Sequence, residues 1–449
     1  MKSSSERVEG DFLGEIEIPQ GALFGAQTQR AVLNFPVGTQ RTIGGYPRLI
    51  EGLMFVKQAA ALANRESGFL DKTKAQAIID AASQILNDKQ FEHFPIHRLH
   101  GGGGTSANMN ANEVLANLGE ELLGGKRGEY RLLHPNDHVN LHQSTNDVYP
   151  TACHIAIIRQ WPDLRSALGR LVNSLQRRAV ELAKEEKIAR TCLQDAVVIT
   201  FEDLLKGYAS FLNRSLWQIG KAVDDLYNVN LGGTIVGRRG DVPESYFRAI
   251  IHLLQKATGD ANYRMAEDLF DSAQNPDDMV QVSSQLNLSA RGLIKVCKDF
   301  RLMSSGPEAG FSEIQLPAIQ PGSSTMPGKI NPVIPEFGVQ LCFQVIGNHA
   351  ACQAALDHGE LDLNIWESTI VFNVLDSMEL LSNAISTFDE KCVRGFIVNS
   401  SQNSKYARST ISVLADLMKR HGYSRIDAIC KQAGADMELI KKMIKEQDL

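Results

Sequence analysis

The chain has 449 residues, 43% of them hydrophobic and 22% charged, the composition of an ordinary globular protein long enough for two or three domains. A formal net charge of −6 with no basic block argues against a nucleic-acid partner, and no apolar run nears the roughly 18 residues that span a bilayer. Seven scattered cysteines, with no CxxC and no Cys/His metal spacing, read as reduced thiols. The opening MKSSSERVEGDFLGE lacks the apolar core of a signal peptide, so a cytoplasmic location is expected.

Residues 1–10 are polar and expected to be mobile. Glu15 to Pro19 alternates and reads as a short strand. Amphipathic helices are predicted over Pro47–Ala63 and Lys72–Leu86, with Gly68 and Asp71 marking the turn between them. The next stretch is His100 followed by four glycines, Thr105 and Ser106. Consecutive glycines are no helix, but they let backbone approach a ligand closely, and the two hydroxyls add donors. A phosphate loop would need a Gly-Lys-Ser/Thr ending, which is missing. A flexible linker is the plainer alternative.

Glu129 to Pro150, EYRLLHPNDHVNLHQSTNDVYP, is crowded with short polar and imidazole side chains. Left unpaired in a buried place, such groups would cost about 1–3 kcal/mol each. They must satisfy one another or bind something polar. Long helices dominate the centre. Leu164, Leu168, Leu171 and Leu175 mark one between Asp163 and Lys187, and Leu205 to Leu226 carries a second. A third runs from Glu367 to Phe388, with Gln281–Met303 and Val339–Ala355 as further members. Apolar steps of three and four residues predict near-parallel packing at about 20°. A coiled-coil scaffold without an active site would show the same periodicity.

Two loops punctuate this centre. Leu231 to Val242, LGGTIVGRRGDV, carries Arg238 and Arg239, either solvated charges on a turn or forks matched to a carboxylate. Pro321 to Glu336 reads PGSSTMPGKINPVIPE. Its Gly322, Pro327, Gly328 and Pro332 predict a structured loop rather than a helix or strand. Such a loop can turn several N–H groups to one side as an anion nest. With Ser323, Ser324, Lys329 and Asn331, it holds what proton abstraction beside a carboxylate requires: a base, and donors aimed at the dianion that forms.

GSSTMPGKINP resembles the GSSxMPxKxNP signature of the aspartase/fumarase superfamily, lyases that release fumarate by eliminating an amine or water from a succinyl group. The resemblance covers nearly the whole chain. GGGGTSANMNANEVLAN and HPNDHVN…QSTND are similar to two further signatures, and Ser144-Thr145-Asn146 has the aspartase form. CFQVIGN and GELDLNIWE lean the same way. ARTCLQDA matches GRTxLQDA, with Cys192 where relatives commonly carry histidine. Cysteine hydrogen-bonds more weakly, so this thiol is either part of the relay or a small buried space-filler.

The resemblance implies a mainly α, three-domain lyase fold with a central long-helix bundle: an N-terminal domain over 1–140, a central bundle over 141–394 and a small helical domain over 395–449. It implies a homotetramer whose sites are each shared by three subunits, and a small dicarboxylate or amino-acid substrate with no metal or organic cofactor. Ser323 is cast as the base, with Lys329 and Asn331 holding the carboxylate beside the deprotonated carbon. Thr105, Asn108, Ser144, Thr145 and Ser324 would bind the substrate, Asn146, Thr191 and Cys192 would meet its amino-group side, and Glu336 is the carboxylate of the relay. The expected reaction removes an amine from L-aspartate or a close analogue. Malate or an N-substituted aspartate is the alternative, for which Arg238 and Arg239 would supply extra carboxylate recognition. A non-catalytic structural member of the fold is the third reading.

Overall fold

The structure is a computed structural model and describes residues 6–38, 40–434 and 436–447. In chain order the elements are β1 (Glu6–Asp11), β2 (Gly14–Pro19), α1 (Ala26–Asn34), α2 (Pro47–Glu66), α3 (Lys72–Asn87), α4 (Thr105–Leu122) and α5 (Thr145–Glu181). Next come β3 (Glu186–Thr191), β4 (Gln194–Thr200), α6 (Phe201–Asp225), β5 (Asn228–Val229), α7 (Glu244–Thr258), β6 (Arg264–Met265), α8 (Leu269–Gln274) and α9 (Asp277–Met303). The chain ends with β7 (Ile314–Gln315), α10 (Val333–Asp357), α11 (Glu367–Phe388), β8 (Ile397–Val398) and α12 (Ser400–Ala407), then α13 (Thr410–His421), α14 (Tyr423–Gln432) and α15 (Met437–Glu446). The protein is mainly helical, and its strands pair only two by two.

The chain divides into two compact units. The first holds residues up to Leu164, Gln218–Asn287 and Gln344–Glu379. Its centre is α2, whose Leu49, Ile50, Leu53, Met54 and Val56 are fully buried, packed by α3 and α7. Asp71 starts α3 by accepting the N–H groups of Thr73 and Lys74, which satisfies two donors that have no partner within the helix. Glu113 and Glu120, buried on α4, each collect backbone donors. Glu113 takes Gly25, Gln27 and Thr28 N–H and so caps α1 from outside, while Glu120 takes those of Arg131, Leu132 and Leu133.

The second unit holds Arg165–Trp217, Leu288–Phe343 and Leu380–Leu449. Its β3–β4 hairpin packs on α12 and α13. The last three helices close on a small core that includes Leu414, Leu417, Ile426, Ile429, Ile440 and Ile444.

Several expectations shift. Residues 6–10 form β1, paired with β2, whereas residues 1–5 lie outside the described chain. The helix expected from Asp163 starts eighteen residues earlier, at Thr145, runs through Pro150 and Pro162, and stops at Glu181. Proline removes one helical donor, here the partner of the Asn146 carbonyl. Asn230 replaces it, its Nδ2 donating to Asn146 O at 3.0 Å. The signature loop is shorter than expected, because α10 begins at Val333. Pro335 fits its first turn, where N–H groups have no intrahelical partner.

The glycine run is no flexible linker. Gly102, Gly103 and Gly104 all have positive φ, and a Cβ on Gly104 would lie 2.4 Å from the Tyr149 ring. Gly104→Ala should therefore lose about 2–4 kcal/mol, combining left-handed strain with overpacking. Gly124→Ala, also at positive φ but with no atom within 4 Å of the added methyl, should lose only about 1–2 kcal/mol. Urea unfolding of the two variants checks the difference; equal losses would mean that the Tyr149 contact is unimportant.

Candidate active site

The candidate residues fall into two groups, one in each unit. In the first, α5 starts at a reciprocal cap. Ser144 Oγ accepts Asn146 N–H at 3.2 Å, and Asp147 accepts Ser144 N–H at 3.0 Å. Asp147 also takes the N–H groups of Gly232 and Thr234, so one buried carboxylate joins the helix start to the LGGT loop. Asn146 Nδ2 donates to Ile235 O of the same loop at 2.7 Å. Asn108, buried on α4, donates to Thr145 Oγ1 at 3.1 Å and to Asn140 Oδ1 at 3.2 Å. Thr105 is exposed on the first turn of α4, which carries no acidic residue and presents the positive end of its helix.

Beneath these residues sits a group that sequence reasoning missed. Lys57 is fully buried and donates to Asn140 Oδ1 at 3.0 Å and Gln143 Oε1 at 2.9 Å. Asn112 adds a third donor to Asn140. Burial pushes the Lys57 ammonium down to about 7, with the Asp147 charge opposing the shift. Burial likewise pushes Asp147 up to about 6 against its three backbone donors. The available signal was a lysine inside the apolar run LMFVKQAAALA, where only a paired or neutral amine can sit.

In the second unit the signature loop turns two backbone N–H groups onto one of its own side chains. Ser323 Oγ accepts two backbone N–H groups, from Thr325 at 3.1 Å and Met326 at 3.0 Å. The loop closes on itself: Gly322 N–H donates to Lys329 O at 2.8 Å, and Asn331 Nδ2 donates to Gly322 O at 2.7 Å. A side chain at Gly322 would sit 2.6 Å from Lys329 O, so this crossing needs glycine. Ser324 and Lys329 are exposed, and the Lys329 ammonium has no ion-pair partner among the described residues. Asn331 uses its amide on the loop itself. Glu336, in the first turn of α10, pairs with Arg301 at 3.3 Å.

Thr191 and Cys192 lie on a hairpin rather than in a buried centre. Cys192 and Leu193 are the two-residue connection between β3 and β4, both at positive φ, 52° and 61°. Two positive φ values match the right-handed twist of a hairpin, at a cost in strain for side chains that are not glycine or asparagine. Cys192 is exposed, which overturns its reading as a buried space-filler. No hydrogen bond joins it to Glu336 among the described residues. Buried Glu313 anchors β3 by pairing with Arg190 at 2.5 Å and Lys187 at 3.6 Å. Arg238 and Arg239 are exposed and engaged by their own chain: Arg238 pairs with Asp241, and Arg239 pairs with Glu244 and lies over the Phe247 ring. Among the described residues no group of His, Cys, Asp or Glu could hold a metal ion, and no helix is long and apolar enough to cross a membrane.

A family model described as "Lyase" matches residues 14–347, and the chain belongs to that family, within the aspartase/fumarase superfamily. An aspartate ammonia-lyase of a Bacillus species is 40% identical over 97% of this chain and 92% of its own length. That of Escherichia coli K12 is 38% identical over 100% and 93%. A fumarate lyase/delta crystallin of Brucella melitensis superposes with a TM-score of 0.94 at 40% identity, covering 99% of this chain and 96% of that one. A class II fumarase of Schistosoma mansoni reaches the same TM-score at 31% identity with the same coverage. The protein is a carbon–nitrogen lyase with the lyase fold.

The shifted pair beneath the α5 start has a measurable consequence. Folded, Lys57 gives up its proton near pH 7; unfolded, it does so near 10.5. Between these values the unfolded chain binds the extra proton, so this lysine makes stability rise with pH across the window. Asp147, raised from 3.8 to about 6, acts in the opposite sense over its own lower window. Urea midpoints at pH 7 and pH 9.5 should show a smaller rise for Lys57→Met than for the parent. An equal rise in both proteins would mean that the amine is not held neutral.

Proposed function

We infer that the chain is an aspartate ammonia-lyase, eliminating the amine of L-aspartate to leave fumarate. The observation that carries the mechanism is the pair of backbone N–H groups on Ser323 Oγ. Two fixed donors on one hydroxyl oxygen stabilise its anion, and the unpaired Lys329 ammonium on the same loop adds positive potential. The names of relatives matching over nearly their whole length support the choice of aspartate.

In this reading the Ser323 oxyanion takes a proton from C3 of the substrate. The C–H electron pair moves into the adjoining carboxylate, which becomes a dianion held by Lys329 and by donors of the Pro321–Pro332 loop. Each well-placed donor contributes about 3–4 kcal/mol to that state. The dianion then collapses, C2–C3 becomes a double bond, and the C–N electron pair departs with the nitrogen as ammonia. Thr105, Ser144, Thr145 and Ser324 bind the far carboxylate, where the positive end of α4 and its hydroxyls favour an anion. Asn108, Asn146, Thr191 and Cys192 line the amino side. Asn331 acts through the loop, since its amide already holds Gly322 O.

The homotetramer, its shared sites, the three-domain division and the cytoplasmic location belong to the same proposal. Exposed apolar side chains on long helices, Leu288 on α9 and Phe343 on α10, support a covered face, and seven free thiols suit a reducing compartment. An N-substituted aspartate is the second reading, carried by Cys192 at an exposed hairpin tip. Internal pairing of Arg238 and Arg239 weighs against it.

Fumarate release, followed by its ultraviolet absorbance with L-aspartate, L-malate and N-substituted aspartates offered in parallel, tests the choice. Turnover of aspartate is expected, and turnover of a substituted substrate alone would move the assignment. Ser323→Ala should lose about 10³-fold or more in kcat with its oligomeric state unchanged, and Lys329→Ala should lose at least about 10²-fold. A fully active Ser323→Ala enzyme would end the base assignment.

A further inference from the structure

Away from these groups, the first unit holds a cavity of about 1120 Å³. Eight carboxylates line it against one basic side chain, His154. Asp278 pairs with that imidazole at 3.1 Å, Asp268 caps α8, and Asp271 accepts from Asn275. Glu267, Asp357 and Glu367 accept no hydrogen bond and pair with no cation among the described residues. Glu367 is the telling member. It is only 6% exposed, yet its carboxylate lines the cavity without a donor. A buried carboxylate in that position is costly: burial pushes it up to about 8, with the nearby His154 imidazole opposing the shift and Asp278 adding repulsion.

Low-dielectric walls bearing one sign of charge concentrate the opposite ion. The shape decides which ion. Among the described residues the acids do not converge as ligands of a single metal, but are spread around a space much larger than an ion. Gln281 and Gln353 also line the space, and amide oxygens suit N–H donors. Charges spaced along a flexible apolar chain match this distribution better than a point charge does.

We propose that this cavity is a binding site for a linear aliphatic polyamine, with Glu367 receiving one of its ammonium groups. The site is separate from the signature loop and does not depend on the choice of substrate. Asn230, which braces the Asn146 carbonyl, and Pro150 and His154 of α5 join its wall to the helix that carries Thr145 and Asn146.

Calorimetric titration of the full-length protein with spermidine at low salt tests the proposal. Saturable binding of about one spermidine per chain is expected, weakened at least tenfold in Glu367→Gln and not displaced by magnesium chloride at matched ionic strength. Substitution of the exposed Asp277, Asp277→Asn, should also weaken binding, and it carries the mutational arm if Glu367→Gln fails to fold. No saturable binding would overturn the proposal and leave the cavity to a second copy of the chain. Equal binding by parent and variants, or displacement by magnesium mole for mole, would overturn it as surface condensation or a metal site.

Discussion

The start of α5 depends on one carboxylate. Asp147 has no exposed surface, and its oxygens accept the N–H groups of Ser144, Gly232 and Thr234. That single group sets the helix boundary, draws in the LGGT loop and leaves Ser144, Thr145 and Asn146 on the first turn. Asn230 completes the joint by supplying the donor that Pro150 lacks. Burying the charge is unfavourable on its own, and the three backbone donors offset it first, with Lys57 contributing while its amine is protonated. The polar side chains of the HPNDHVN…QSTND stretch are thus largely satisfied within the protein, the Ser144 and Thr145 hydroxyls included, which accept from Asn146 N–H and Asn108 Nδ2.

The signature loop solves a different problem. A serine hydroxyl is a poor base, and its anion needs donors that do not have to reorganise. Backbone N–H groups in a closed loop meet that need, because the crossing of Gly322 with Lys329 and the Asn331 brace hold them in place. In the proposed reaction the substrate's own carboxylate accepts the electrons. Cys192 shows how the scheme can vary. It stands on a strained hairpin tip that Glu313, Arg190 and Lys187 anchor from below, so the hairpin's geometry does not rest on the side chain at position 192.

Periodicity made the long helices legible. The range expected for α11 coincides with the one observed, and Asp71 announced α3. Proline misled in both directions. Pro150 and Pro162 hid the first half of α5, although the Asn230 side-chain amide replaces the donor that Pro150 lacks, and Pro335 concealed the first turn of α10. The β3–β4 hairpin was invisible as strands because its turn is Cys192-Leu193, with no glycine or asparagine to mark it. In the candidate site, side chains that donate from a loop could be read from composition. Lys57 was marked only by its place in an apolar run, and Asn112 and Asn140 not at all, because their roles depend on contacts between residues far apart in sequence. The pairing of Arg238 with Asp241 and of Arg239 with Glu244 is local, three and five residues along the chain, and was open to a sequence reading.

The central claim is proton transfer at C3 coupled to departure of the amine, with Ser323 as the base. Running the reaction backwards in heavy water tests it directly. Fumarate and ammonium should give aspartate carrying one deuterium at C3, at a single stereochemical position by proton NMR, and Ser323→Ala protein should give none. Aspartate without deuterium, deuterium at both positions, or unchanged labelling by Ser323→Ala would contradict the account.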